Sequence, residues 1–206
     1  MYLSRVELDL NNRSTLKALG SQSIIHGAVE SSFSGERKRS LWRIDKLGGK
    51  LYLLILSEDK PCLSSISSQF GSSDSDSETR NYEPLLSRVR LGGKWRFRLT
   101  ANPTKSVSSN GGRGKVHAIT IVDLQKQWLA EKSGKYGFRL EADSFDVVEN
   151  KWCKFRKKDG SMVSLLSVSF EGVLEITDEE LFKAALTNGI GRGKAYGMGL
   201  LTIIRT

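Results

Sequence analysis

Five glycines, Gly189, Gly191, Gly193, Gly197 and Gly199, fall within eleven positions of this 206-residue chain, and their flanks limit the folds open to it. Residues 178–188 read as a helix: Thr177 and Glu180 have the spacing of a capping box, and Gly189 stands where a C′ glycine ends a helix. An apolar run from Leu200 to Ile204 follows and reads as a strand. Helix, glycine loop, strand is the reverse of the strand–loop–helix order of dinucleotide-binding and P-loop units. Gly193-Lys194 is followed by Ala195, and the residue five before Gly193 is Asn188, so the Walker spacing fails as well. A nucleotide-binding enzyme is therefore disfavoured. Glycine allows torsions and close ligand approach that a Cβ forbids. Backbone N–H groups in such a loop, with Arg192 and Lys194 beside them, suit the phosphates of a polyanion. The plainer alternative is that the glycines only turn and pack the chain.

The balance of charge points the same way. A formal net charge of +9 and a pI near 9.6 favour a polyanionic partner. The apolar runs are all shorter than the ~20 residues of a membrane span. The opening "MYLSRVELDL" alternates like a strand instead of supplying a signal peptide's apolar core, so a soluble cytoplasmic protein is expected. Cys62 and Cys153 are isolated, and His26 and His117 are the only histidines, so no Cys/His cluster with zinc spacing exists locally. The expectation is metal-independent chemistry without a cofactor.

Tyr2, Ser4, Val6 and Leu8 alternate with Leu3, Arg5 and Glu7, the period of a strand with one face buried. From about Ser14 to Phe33 the period turns helical, with a break around Gly20 and Ser21. His26 shares the face of Leu19 and Val29 or its edge. Strands are expected over 41–45 and 51–56, joined by "KLGGK", then a short helix after Pro61 and a Ser- and acid-rich loop, "SSDSDSETRNYEP". A clean strand places Trp95, Phe97 and Leu99 on one face. This β-α-β-β-(α)-β order is ferredoxin-like or RRM-like. It predicts an N-terminal domain over 1–101, a basic linker loop over 102–115, and a second unit of similar order over 116–206. The fold class expected is α+β, with two tandem ferredoxin-like domains and antiparallel sheets.

"MYLSRVEL", "LWRID", "WRFRLTANPTK", "VSFEGVLEI" and "GIGRGKAYGMGLLTI" together resemble the CasE family, the CRISPR repeat-RNA endonucleases of the type I-E Cascade complex. The resemblance implies tandem ferredoxin-like domains that cut precursor CRISPR RNA at the base of a hairpin. It implies cleavage without metal, retention of the product, and partners in the repeat stem-loop and the other Cascade subunits. Membrane association is not part of the expectation.

Metal-free RNA cleavage has the neighbouring 2′-OH attack its own phosphate. That step calls for a proton acceptor, a donor to the leaving 5′-oxygen and a cation for the phosphorane. A histidine titrating near 6.5 suits the proton steps at neutral pH. His26 falls where the resemblance puts the catalytic histidine. Three residues earlier the family commonly has tyrosine, and this chain has Ser23, whose hydroxyl reaches less far. For binding, Lys154, Arg156, Lys157 and Lys158 approach the Asp159-Gly160 turn, which the resemblance lays against the RNA stem. Reading an A-form major groove there would require its accessible end or a distorted stem. Arg192, Lys194 and Lys105 are further phosphate candidates, while Arg37, Lys38 and Arg39 read as a solvated charge run. The aromatic RNP signature of RRM domains is absent, so base stacking on a sheet is not the expected mode. The rival reading is a non-catalytic RNA-binding or scaffold subunit of the same fold, since function lives in the site.

Overall fold

The computed structural model describes residues 1–36, 38–72, 76–109, 112–156 and 160–206. Its first strand, β1 (Tyr2–Leu8), buries Ser4, Val6 and Leu8 at alternate positions, as its sequence period requires. The helical region divides into α1 (Arg13–Leu19) and α2 (Gln22–Ser31), separated at Gly20 and Ser21. Asn12 caps α1 by accepting the Ser14 N–H at 2.8 Å. Then come β2 (Leu41–Leu47), β3 (Lys50–Ser57), α3 (Leu63–Phe70) and β4 (Ser77–Asn81). The antiparallel sheet runs β2-β3-β1-β4.

After a one-turn helix, α4 (Glu83–Leu86), the same plan repeats. It comprises β5 (Lys94–Ala101), β6 (Thr104–Ser109), β7 (Gly112–Ala118), α5 (Val122–Ser133), β8 (Phe138–Arg139), β9 (Phe145–Arg156), β10 (Met162–Ile176), α6 (Glu179–Asn188) and β11 (Leu201–Arg205). The second sheet runs β11-β5-β10-β8, with β9 also paired to β10. With β8 and β9 counted as one interrupted strand along β10 and the β6–β7 hairpin set aside, each sheet has the order 4-1-3-2 numbered within its own half, so both halves carry the β-α-β-β-α-β arrangement of a ferredoxin-like unit.

Four sequence expectations are corrected. The boundary expected after residue 101 falls earlier, because β5 pairs with β10 and β11 and buries Trp95, Phe97 and Leu99 in the second unit. The strand that completes the first sheet is β4, inside the segment expected to be a loop. It is an edge strand of mostly polar, solvent-facing residues, so it lacks the alternation that marks a half-buried strand. The linker expected over 102–115 is instead largely the β6–β7 hairpin, a two-stranded sheet apart from the other two. The cap of α6 also differs: Asp178, not Thr177, accepts the Leu181 N–H at 2.9 Å.

One core joins Val6, Leu8, Ile25, Val29, Trp42, Leu53, Ile55, Ile66 and Phe70 between the first sheet and its helices. A second core takes Leu41, Tyr52, Leu54 and Leu56 from the opposite face of that sheet and runs on into β5, β10, α5 and α6. The near-continuous apolar run of β3 is explained by this burial on both faces. A polar rivet crosses the same boundary. Arg43 of β2 is fully buried and grips Asp45 through Nε at 2.8 Å and Nη2 at 2.6 Å, and it donates to the carbonyls of Arg98 at 3.0 Å and Leu200 at 2.7 Å. Its Nη2 also reaches Thr202 Oγ1 at 2.7 Å. Among the described residues no helix is long and apolar enough to cross a membrane.

Candidate functional site

Three elements from distant parts of the chain converge on His26. The first is α2, which buries Ile25 and Val29 in the first core and leaves His26 and Glu30, a turn apart, half-exposed. The second is the end of β9, with Phe155 buried and Arg156 exposed. The third is the glycine loop, which begins at Gly189, where α6 ends, and contains one 3₁₀ turn, Lys194–Tyr196. Tyr196 is the keystone: its ring lies 4.8 Å from that of Phe155 and 6.4 Å edge-on from that of His26, centroid to centroid.

The loop's shape follows from its glycines. Gly197 has φ +78°, and a Cβ there would come within 2.6 Å of the Trp42 ring, so the chain passes closer to that side chain than any other residue permits. The loop closes on itself as the Ile190 N–H donates to Gly199 O at 2.8 Å, and the Gly199 N–H donates to Thr100 O at 2.7 Å. These amides are therefore unavailable to a ligand. The N–H groups of Gly191, Arg192 and Gly193 have no partner among the described residues, and they are the part of the loop fit to cradle an anion.

Two clefts open on either side of His26. One, of about 1100 Å³, runs along α2 past Ser21, Ser23, Gln69 and Arg156. The other, of about 580 Å³, lies between α2 and the loop and is lined by Arg39, Ser40, Gly191, Arg192, Gly193 and Lys194. His26, Glu30, Lys38 and Tyr196 line both and form the ridge between them. Among the described residues of the second cleft, Lys38, Arg39, Arg192 and Lys194 face a single carboxylate, Glu30, so its wall is positive. Such a wall attracts and orients phosphate.

The sequence-derived candidates divide accordingly. His26, Ser23, Arg156, Arg192, Lys194, Gly191 and Gly193 come together around the clefts. Ser23 Oγ lies 2.9 Å from Ser21 Oγ, so its hydroxyl is engaged at the start of α2. Lys194 Nζ donates to Asn188 O at 2.5 Å, bracing the loop across its neck. Burial, with the nearby Arg39 charge, holds the Lys194 pKa below the usual lysine value. Gly189, Gly197 and Gly199 act within the loop's own packing. Lys154 and Lys105 line neither cleft, the latter sitting on the β6–β7 hairpin. Lys157 and Lys158 lie outside the described residues.

Sequence reasoning missed Tyr196, Glu30 and the part played by Lys38 and Arg39. The sequence alone predicts a solvated Arg37–Arg39 run, of which Arg37 lies outside the described residues. Lys38 does pair with Asp59 at 3.0 Å and Glu58 at 3.4 Å, yet it also walls both clefts. Tyr196 lies inside the glycine signature, but nothing in its spacing tells that its ring meets a helix 170 positions earlier. Among the described residues no group of three or more His, Cys, Asp and Glu side chains is placed to hold a metal ion.

Tandem ferredoxin-like units with a histidine and a basic glycine loop at their junction define an RNA-handling class, and comparison with known proteins narrows it. The family model described as "CRISPR associated protein" matches residues 1–205, and the chain belongs to that family, in its CasE group. It is 27% identical over 218 residues to the CRISPR-associated endoribonuclease Cse3 of Thermus thermophilus, covering 98% of this chain and 99% of that protein. It is 31% identical over 124 residues to the Cascade subunit CasE of Escherichia coli, a match covering 56% of this chain and 60% of that protein. The solved structure of CRISPR endoribonuclease Cse3 bound to a 19 nt RNA superposes with a TM-score of 0.84 at 27% identity, covering 99% of this chain and 100% of that one.

Proposed function

We propose that this chain is the endoribonuclease that processes CRISPR repeat RNA, cutting the precursor transcript at the base of the repeat hairpin and keeping the product as a Cascade subunit. The observation that carries the reading is the ridge: a half-exposed imidazole with a tyrosine ring against it, set between one open cleft and one cationic cleft. End-to-end similarity to Cse3, a protein named as an endoribonuclease, supports the enzyme class.

In this reading the scissile phosphate sits over the ridge, with the N–H groups of Gly191 to Gly193 and the Arg192 side chain toward its oxygens. His26 accepts the proton of the adjacent 2′-hydroxyl as O2′ bonds to phosphorus. The bond from phosphorus to O5′ then breaks, the leaving oxygen takes a proton from solvent, to which His26 returns the one it accepted, and the upstream fragment ends in a 2′,3′-cyclic phosphate. Arg39 and Arg192 offset the charge that builds on the phosphorane, in the manner of preorganised electrostatic stabilisation. The Tyr196 hydroxyl orients the phosphate, in place of the hydroxyl that Ser23 is too short to present. Arg156, in the wall of the larger cleft, holds the stem. The site of action is the cytoplasm.

The test is to incubate the protein with its host's repeat RNA in EDTA and map the ends. Cutting at one position, with a cyclic phosphate upstream and no cutting of RNA carrying a single 2′-deoxy residue at that position, is expected. A strict Mg²⁺ requirement, or cleavage of the 2′-deoxy RNA, would overturn the mechanism.

A further inference from the structure

The glycine loop has a second side. Opposite the His26 clefts, Gly191 and Arg192 also line a separate cavity of about 170 Å³, completed by Asn102 and Thr104 after β5, Ser106 of β6, and Trp128 and Lys132 of α5. Three features mark it as built for a ligand. Trp128 Nε1, a donor, is shielded from solvent in a residue only 7% exposed and has no hydrogen-bond partner among the described residues. A buried donor left unpaired costs on the order of 1–3 kcal/mol, so it calls for an acceptor from a bound group. Among the described residues the charged side chains of the lining are two cations, Lys132 and Arg192, and Lys132 is held 5.3 Å over the Trp128 ring. The Trp128 ring is fixed in turn by stacking on Phe170 at 6.4 Å, which anchors the cavity floor to the second sheet.

We infer that this cavity is a phosphate subsite. Its size suits one phosphodiester group; its two cations supply charge; Trp128 Nε1, Thr104 and Ser106 supply donors; and among the described residues no carboxylate lines it. Arg192 belongs to both this cavity and the cationic cleft, so a strand leaving the scissile phosphate over the loop reaches the subsite without a break in positive wall. The site therefore holds a backbone phosphate of the single-stranded RNA that flanks the hairpin. It measures out the strand next to the cut, and the substrate is recognised as a hairpin with an attached strand. This source of the phosphate rests on the endoribonuclease reading; the subsite itself rests on the cavity.

The test compares Lys132→Ala and Trp128→Phe with the parent, all carrying His26→Ala so that RNA stays intact. Kd is measured for a bare repeat hairpin and for hairpins extended by five nucleotides on the 5′ or the 3′ side. Thermal melts run in parallel with and without millimolar inorganic phosphate at matched ionic strength. A five- to tenfold weakening for one extended hairpin and none for the bare one is the expected result. Unchanged affinities for all RNAs, with a phosphate-dependent rise in Tm in the parent that Lys132→Ala loses, keep the subsite and assign it to a free phosphate, whereas equal weakening for all RNAs overturns its assignment to the flanking strand. Unchanged affinities and no phosphate-dependent shift in well-folded variants would overturn the subsite. If no hairpin binds, the endoribonuclease reading falls, and the phosphate melts still decide the cavity.

Discussion

At the scale of single residues, His26 and Tyr196 are in a contact whose two members do different work. Replacing His26 with Ala should lower the single-turnover cleavage rate by on the order of 10²-fold or more and leave RNA affinity within about twofold, because a proton-transfer group acts chiefly in the transition state. A filter-binding titration beside the time course checks this; equal loss of rate and affinity would make His26 a structural residue. Tyr196→Phe keeps the ring against Phe155 and His26 and removes the hydroxyl. It should slow cleavage about tenfold, the worth of one charge-assisted hydrogen bond, with no change in Tm. Ser23→Tyr, one turn before His26 and lining the same cleft, should restore most of that rate in the Tyr196→Phe background. Failure of the rescue would show that the two positions present their hydroxyls to different atoms.

At the scale of elements, the glycine loop is held as a rigid bracket. Gly197→Ala asks the loop to give way at a positive φ and against the Trp42 ring together, at a cost of about 1–3 kcal/mol. Tm should fall several degrees, and cleavage should fall further than stability alone explains as Tyr196 leaves His26; a scanning melt paired with the rate measurement checks both. Most elements were legible in the sequence because they announce themselves locally: the alternation of β1, the break at Gly20, and the glycine at the end of α6. Two of the corrections follow from position. The edge strand β4 needs no apolar face, since β1 covers only one of its sides and its residues face water. The strand β5 is plain as a strand, but its partners are decided by β10 and β11, some seventy and a hundred residues downstream. The candidate site divided in the same way: His26 and the basic loop were readable, whereas Tyr196 and Arg39 gain their roles only from contacts made across the fold.

At the scale of the whole molecule, the two units are fastened where the site needs them fastened. Arg43 ties the first sheet to the carbonyl of Leu200, immediately after the glycine loop, while Trp42 beside it backs Gly197. Arg43→Met leaves Asp45 buried without its principal partner and should cost about 3–5 kcal/mol in a denaturant melt; adding Asp45→Leu should return a good part of it. If the double variant is as unstable as the single one, the pair is not the source of the effect. Binding reflects the same two-sided construction. With Arg156 on one side of His26 and Arg192 on the other, affinity should fall steeply with salt, and Arg156→Gln or Arg192→Gln should each flatten the log–log slope by roughly one unit or less. An unchanged slope removes that side from the contact. The separation of the two halves of the site along the chain also has a temporal meaning. His26 emerges early in synthesis, but the loop that completes its surroundings is fixed only when residues 201–205 pair with β5. At about 5–20 residues per second the ribosome delivers Tyr196 roughly 10–35 s after His26, so a nascent chain carries its histidine well before it can cut RNA.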